Sequence, residues 1–341
     1  MTAHTASGIT PAPLLQARYN LIIHQALHAA AKLGVADLLE RGPRTTAELA
    51  TELKVNEEAL YRTLRALAGQ EVFEEAGPHT FRNSPLSCFL RTGYPGSVRS
   101  FLIYWGTEFY YGSLGEILYS IQTGKPARAK LVGMNEWEYM RQNPELAGIF
   151  DDAMTNGSDL MGPPIAAAYD IEAWGSIMDV GGGNGILLSH ILKVHQKLRG
   201  VLADQPHVLD RARQRGFLGG ELASRTSMRE CDFFREVPSG CRAYLMKSVI
   251  HDWDDEKARQ ILINCRRAVP SDGILLLVEW SLSEANLPSA GKVMDLVMLA
   301  LTGGKERTIK EYGELLASAG FRLQGVTPTP AEYVIIEAVP A

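Results

Sequence analysis

The stretch Ile177-Met178-Asp179-Val180-Gly181-Gly182-Gly183-Asn184-Gly185 joins a short apolar run to a glycine-rich turn, and a second apolar run, 186–191, follows. The first run reads as a buried strand that the glycines break sharply. Backbone without side chains lets a ligand lie against the main chain. At the carboxyl end of a parallel strand, that is where open α/β sheets bind nucleotide-like molecules. The dinucleotide fingerprint G-x-G-x-x-G is not met: counted from Gly181 its third glycine falls on Ile186, and from Gly183 on Leu188. The pattern is instead Asp-x-Gly-x-Gly-x-Gly. Asp204 ends the next candidate strand, 19 residues beyond Gly185. A carboxylate there can accept both hydroxyls of a ribose, which suits NAD or an adenosyl ligand. A tight structural turn is the plainer alternative for the glycines.

Further along the chain stand Asp204-Gln-Pro-His-Val, Cys231-Asp232-Phe233-Phe234, Met246-Lys247-Ser-Val-Ile-His251-Asp252-Trp253-Asp254-Asp255, Leu277-Val-Glu279 and Gly303-Gly304-Lys305-Glu306-Arg307-Thr308. This succession resembles the S-adenosylmethionine-dependent O-methyltransferases of the caffeate, acetylserotonin and bacterial polyketide-tailoring type. The resemblance runs from about Leu15 to Val339. It implies S-adenosylmethionine as cofactor and S-adenosylhomocysteine as its product. Gly181, Gly183 and Gly185 then approach the amino-acid and ribose portions, with Gly182 a turn requirement. Asp204 holds the ribose hydroxyls, Asp232 and Phe233 take the adenine, and Lys247 and Ser158 lie near the cofactor. An ordinary strand-end lysine is the plain alternative for Lys247.

His251 is the implied general base. A free phenol has a pKa near 10, so little oxyanion exists at neutral pH. An imidazole titrating near 6.5 accepts the proton as oxygen attacks, assistance worth about 10²–10⁴ in rate. Glu279 and Glu306 match the family carboxylates that orient this ring. The 28 residues from His251 to Glu279 are what one helix and one strand need to return to the same sheet edge. A helix-start carboxylate is the alternative for Glu306, and a structural histidine for His251. Asp252, Asp254 and Asp255 read as a helix-start cluster rather than as metal ligands. The sulfonium already carries a good leaving group, so no metal is expected, and the sequence displays no metal-ligand cluster.

The elements that must position these groups divide near residue 170. Leader 1–13 is small and polar. Segment 14–95 reads as helix, turn, helix and wing, with Tyr19, Ile22, Ile23, Leu27 and Ala30 on one helical face and Leu60, Leu64 and Leu67 on another. Thr45 or Thr46 caps a helix. This is also the order of a winged DNA-binding module. However, Glu57 and Glu58 open the candidate recognition helix, Glu74 and Glu75 lie on the wing, and only Arg62 and Arg65 offset them. Such a surface repels phosphates. In the resembling family this module dimerises, so a homodimer is expected.

Segment 96–170 reads as a helical connector whose aromatics and methionines are mostly core. A minority line an apolar acceptor pocket. Met154 and Met298 match the family's ring-packing methionines, and Trp105 and Asp252 are further pocket candidates. Thioethers suit aromatic faces. Segment 171–341 reads as the catalytic domain. It is a Rossmann-like, seven-stranded class I methyltransferase sheet, with strands expected at 177–180, 198–203, 226–229, 243–246, 274–278, 321–326 and 333–337. Helices are expected at 206–215, 255–269 and 309–319. The resemblance implies that the final strand inserts antiparallel.

Composition narrows the rest. A chain of 341 residues, 46% hydrophobic, supports two domains with real cores. A net charge of −5 gives nucleic acid or anionic membrane no electrostatic hold. Four scattered cysteines suggest free thiols in a cytosolic protein, and no apolar run approaches the roughly 20 residues of a membrane span. The expected activity is O-methylation of a phenol or enol on a small aromatic or polycyclic secondary metabolite. Alternatives are a relative diverted to hydroxylation or decarboxylation, a winged-helix ligand-sensing regulator, and an NAD oxidoreductase.

Overall fold

A computed structural model describes residues 10–341. Most of the expected leader, 1–13, lies outside the described residues, and its last two positions already belong to the first helix, Ala12–Leu33. The described chain forms two compact units, one ending at Thr107 and one spanning Glu108–Ala341.

In the first unit, Pro11 precedes the helix Ala12–Leu33, and Gly34 closes it in a left-handed conformation, φ +71°. Thr45, not Thr46, caps helix Thr46–Leu53. Its hydroxyl accepts the Glu48 N–H while the Glu48 carboxylate accepts the Thr45 N–H. Such a reciprocal cap satisfies two orphan donors. Helix Glu57–Ala68 buries Leu60, Leu64 and Leu67, as their spacing predicts. They join Ala30, Val35, Leu49, Phe73 and Phe81 in one core, each large side chain contributing about 1.5–3 kcal/mol by leaving water. Strands β1 (Arg44–Thr45), β2 (Phe73–Gly77) and β3 (Thr80–Asn83) form an antiparallel sheet in the order β1-β3-β2, the expected wing. The apolar face of helix Ala12–Leu33 is only half covered: Ala30 is buried, whereas Tyr19 and Ile22 are exposed.

The second unit carries the seven strands β4 (Ser176–Val180), β5 (Arg199–Asp204), β6 (Thr226–Glu230), β7 (Ala243–Lys247), β8 (Ile274–Trp280), β9 (Phe321–Pro328) and β10 (Tyr333–Pro340). Their order is β6-β5-β4-β7-β8-β10-β9. Strands β4 to β8 pair in parallel, and β10 lies antiparallel between β8 and β9. The central strands are apolar on both faces, because helices cover both. The order reverses at β4, so the loops beyond the carboxyl ends of β4, β5 and β7 open on one crevice.

Candidate active site

The loop after β4 turns through three left-handed glycines, Gly181 (φ +71°), Gly183 (φ +59°) and Gly185 (φ +79°). The Gly183 N–H donates to Asp204 Oδ2 at 2.9 Å and the Gln205 N–H to Oδ1 at 2.7 Å, so the carboxylate ending β5 holds the loop tip. Burial pushes Asp204 up to about 6, against the pull of those two donors. Burial pushes Asp179 up to about 7, with Asp204 adding to it, and Asp179 Oδ2 has no hydrogen-bond partner. A Cβ on Gly182 would stand 2.5 Å from the Asp179 carboxylate, which fits the expected turn requirement. The other glycines differ in what they face. A Cβ on Gly185 would meet Leu218 at 2.9 Å and one on Gly181 would meet Val249 at 3.1 Å, whereas one on Gly183 meets nothing within 4 Å. An open cradle at Gly183 beside a buried carboxylate oxygen in want of a donor fits S-adenosylmethionine, which brings ribose hydroxyls and an ammonium group.

The remaining expected cofactor positions surround this loop unevenly. Phe233 stands beside Gly181, its ring 6.3 Å from Trp253, and its carbonyl accepts from Asn264 at 2.9 Å. Asp232 is more exposed and accepts the Phe234 N–H at 3.1 Å. Lys247 ends β7 with its ammonium 5.0 Å from the centre of the Tyr333 ring. Met154 and Ser158 lie on helix Pro144–Ala168. Between them, Thr155 Oγ1 accepts from Asn184 of the glycine loop at 2.8 Å, tying that helix turn to the loop. Met298 is buried on helix Ala290–Leu301, in a cluster that includes Tyr110. Trp105 belongs to the first unit, where it stacks on Phe101.

His251 sits on a short 3-10 turn, Ile250–Asp252, after β7, and is only 6% exposed. Glu279, on β8, accepts the N–H groups of Val249 (3.2 Å) and Ile250 (2.9 Å) through Oε1, which fixes the turn carrying the histidine. The His251 Nδ1 lies 2.7 Å from Glu306 Oε1 and 3.8 Å from Glu279 Oε2. Its Nε2 lies 3.8 Å from Asp252 Oδ1. Burial opposes the imidazolium, but Glu279, Glu306 and Asp252 together outweigh it and push His251 up to about 10. This departs from the unperturbed value near 6.5 that sequence alone allows. Burial raises Glu279 and Asp252 to about 7 each. The three residues His251, Glu279 and Glu306 bring ligand-type atoms within 4.8 Å of one another, which a metal ion also accepts. Atoms sharing one zinc stand about 3.3 Å apart, however, and the 2.7 Å Nδ1–Oε1 separation is that of a shared proton.

The Gly303–Thr308 segment lies against the back of this turn. Lys305 N–H donates to the His251 carbonyl at 2.9 Å. The approach requires Gly304, since a Cβ there would stand 2.0 Å from that carbonyl oxygen. Arg307, buried, donates to the Trp253 carbonyl at 3.0 Å and to Asp255 at 2.9 Å. The expected Asp252–Asp255 cluster is therefore split. Asp254 alone caps helix Asp255–Ala268 through Lys257 N–H, Asp255 clamps Lys305 and Arg307, and Asp252 turns inward beside His251. Glu306 does not start a helix: Thr308 caps helix Ile309–Ser318, with Glu311 closing the cap. Sequence reasoning missed Gly304, Arg307 and Asp295, whose carboxylate accepts the Glu306 N–H at 2.9 Å. The signal for the first two was their place inside the same six-residue motif.

Comparison with known proteins agrees in both halves. Residues 115–322 match the O-methyltransferase domain family and residues 16–93 the O-methyltransferase dimerisation domain. The chain is 38% identical over 342 residues to phenazine O-methyltransferase PhzM of Lysobacter antibioticus, covering 100% of both chains. It is 34% identical to aclacinomycin 10-hydroxylase RdmB of Streptomyces purpurascens, covering 95% of this chain and 89% of that one. Among solved structures it resembles LaPhzM with a TM-score of 0.93 at 38% identity, covering 97% of this chain and 99% of that one. It resembles human N-acetylserotonin methyltransferase in complex with S-adenosylmethionine with a TM-score of 0.89 at 26% identity, covering 99% and 100%.

Proposed function

Since the chain belongs to the family of S-adenosylmethionine-dependent O-methyltransferases, we propose that it methylates a phenolic or enolic hydroxyl of a small aromatic or polycyclic secondary metabolite, with His251 as general base. The bound cofactor supplies a methyl group on a sulfonium, already activated toward attack by oxygen. Asp204, Gly183 and Asp179 hold that cofactor, with Gly181 and Gly185 shaping the loop. Phe233 covers the adenine, Asp232 reaches its edge, and Lys247 and Ser158 stand nearby. Met154 and Met298 line the acceptor pocket, to which Asp252 also contributes. Asp204→Asn removes one charge from the loop tip, and charge-assisted hydrogen bonds are worth roughly 1.5–3 kcal/mol. Calorimetry should therefore show S-adenosylmethionine binding about 10- to 100-fold more weakly.

The observation that carries this reading is the 2.7 Å contact of His251 Nδ1 with Glu306. A proton shared there fixes the tautomer, so that the base form of the ring presents its Nε2 lone pair to the hydroxyl proton. Glu279 acts through the backbone as a positioning residue and adds charge that stabilises the imidazolium. Because these carboxylates raise His251 to about 10, its base form grows as pH rises through and above neutrality. The ascending limb of kcat/KM should thus lie well above pH 6.5. Glu306→Gln should move it toward 6.5 and lower the plateau roughly 10-fold. An unmoved limb would count against the assignment.

Similarity to RdmB favours a second reading, diversion to hydroxylation, and decarboxylation is the other diversion; His251, Glu279 and Glu306 together argue for ordinary methyl transfer. A panel of hydroxylated aromatics decides between them. Methyl transfer yields S-adenosylhomocysteine and a product heavier by a methylene. Hydroxylation yields one heavier by an oxygen atom, and decarboxylation one lighter by carbon dioxide. The dimerisation family match and the exposed apolar face of helix Ala12–Leu33 support a homodimer. The four free thiols support a cytoplasmic setting, and no helix among the described residues is long and apolar enough to cross a membrane.

A further inference from the structure

Helices Ala127–Val132 and Glu136–Gln142 bring Arg128 and Glu136 together as an ion pair, with side chains 0% and 4% exposed. Sealing two charges in the interior costs more than a surface pair returns, and apolar replacements are often neutral or stabilising. Fold stability therefore gives a weak reason for the pair. Its hydrogen bonding is also incomplete. Arg128 Nη2 has no hydrogen-bond partner, and neither has Glu136 Oε2. Each such buried orphan asks for an explanation, and here a donor and an acceptor are orphaned on the same pair.

The surroundings place the pair close to the catalytic cluster. The Arg128 guanidinium lies 4.1 Å from the centre of the Phe109 ring, which stacks on Tyr139 at 5.0 Å. Phe109 belongs to a single π-turn, Glu108–Gly112, and such turns recur at functional sites. Tyr110, on the same turn, packs with Met298. Pro126, two residues before Arg128, abuts Gly303 of the segment that backs His251. Trp137, next to Glu136, lies 6.2 Å from Trp253, next to Asp252. Four carboxylates, Glu136, Asp252, Glu279 and Glu306, thus face two cations, Arg128 and His251.

We propose that the Arg128–Glu136 pair is a specificity element that selects acceptors carrying an uncharged group with an accepting oxygen and a donating hydrogen side by side, such as a carboxamide. A carbonyl oxygen accepts from Arg128 Nη2 and the adjacent N–H donates to Glu136 Oε2, satisfying both orphans at once. A carboxylate in the same place offers no donor and meets an excess of negative charge. The proposal rests on the methyltransferase reading and names the class of acceptor for that same site.

The test is equilibrium binding of 1-naphthol, 1-hydroxy-2-naphthamide and 1-hydroxy-2-naphthoate to the full chain loaded with S-adenosylhomocysteine, with turnover measured beside it. The wild type should bind the amide at least about 10-fold more tightly than either other compound, as expected for a site built to hydrogen-bond its ligand. Arg128→Leu combined with Glu136→Leu should bring all three within about threefold while binding of S-adenosylhomocysteine is unchanged. Glu136→Gln should cut the amide-over-carboxylate ratio about 10-fold, by removing the repulsion. A merely structural pair would weaken all three compounds alike. Wild type with no amide preference, or a double variant that keeps it, overturns the proposal. The wild-type comparison needs no variant, so a double variant that fails to fold does not shelter the idea. Failure of the wild type to bind S-adenosylmethionine at all would instead sink the methyltransferase reading.

Discussion

His251→Ala should lower kcat by about 10²–10⁴, the range general-base assistance supplies, while S-adenosylmethionine still binds, because the glycine loop and Asp204 are untouched. The same change should also alter how stability depends on pH. In the wild type the imidazolium sits between Glu279, Glu306 and Asp252. Glu279 and Asp252, raised to about 7, already bind protons more tightly than in the unfolded chain. Without the cation both rise further, since a like charge is no longer offset. A carboxyl group whose folded pKa is raised leaves the native state binding more protons than the unfolded state, so stability falls as pH climbs. The loss begins near the unfolded value of about 4 and extends past 7. In the wild type His251, raised to about 10, adds its own loss from about pH 6.5 upward. His251→Ala exchanges that loss for the further rise of the two carboxyls, so thermal melts from pH 5 to pH 9 should follow a different course in the variant. Turnover within a few-fold of wild type at saturating acceptor would remove the general-base assignment.

How far the sequence disclosed this site differs from residue to residue. The glycine turn and Asp204 were legible because local chemistry dictates them: an apolar run, a glycine break and an acidic strand end each leave a signal within ten residues. The strands were legible for the same reason. The run 243–246 appears as β7, Ala243–Lys247, because burial on both faces makes it continuously apolar. Strand direction was not, since an apolar run reads alike either way, and the antiparallel setting of β10 came only from resemblance. The behaviour of His251 was least legible. Its partners lie 28 and 55 residues away in sequence, and the shift to about 10 arises from their convergence on one nitrogen. Asp252 shows the opposite failure: its neighbours made it look like a helix-start acid, whereas the 3-10 turn aims it inward. Arg128 and Glu136 carried no signal, being separated ordinary surface-type residues that tertiary structure encloses.

Gly304→Ala should be the most damaging single-methyl change in the second unit. Its Cβ would lie 2.0 Å from the His251 carbonyl oxygen, 2.4 Å from the Asp252 carbonyl carbon and 2.6 Å from the Trp253 nitrogen. All three are backbone atoms, so no side-chain rotation relieves the contact. Either the turn 250–253 or the loop 303–305 must move by about 1 Å, and misplacement on that scale costs roughly 10²-fold in rate. The Lys305 N–H to His251 carbonyl bond breaks with it, and overpacking a rigid contact costs typically 1–3 kcal/mol. Gly183→Ala offers the contrasting case. Its Cβ meets no protein atom within 4 Å, but its φ of +59° is strained for alanine and the methyl enters the cradle. That variant should lose cofactor affinity, while Gly304→Ala should keep affinity and lose kcat. The contrast follows from which side of the site each glycine serves: one leaves room for a ligand, the other for the main chain that carries the base. Calorimetry with S-adenosylmethionine, run beside steady-state kinetics on both variants, reads the two losses separately. If Gly304→Ala weakened cofactor binding and left kcat intact, the loop 303–305 would not be what holds His251 in place.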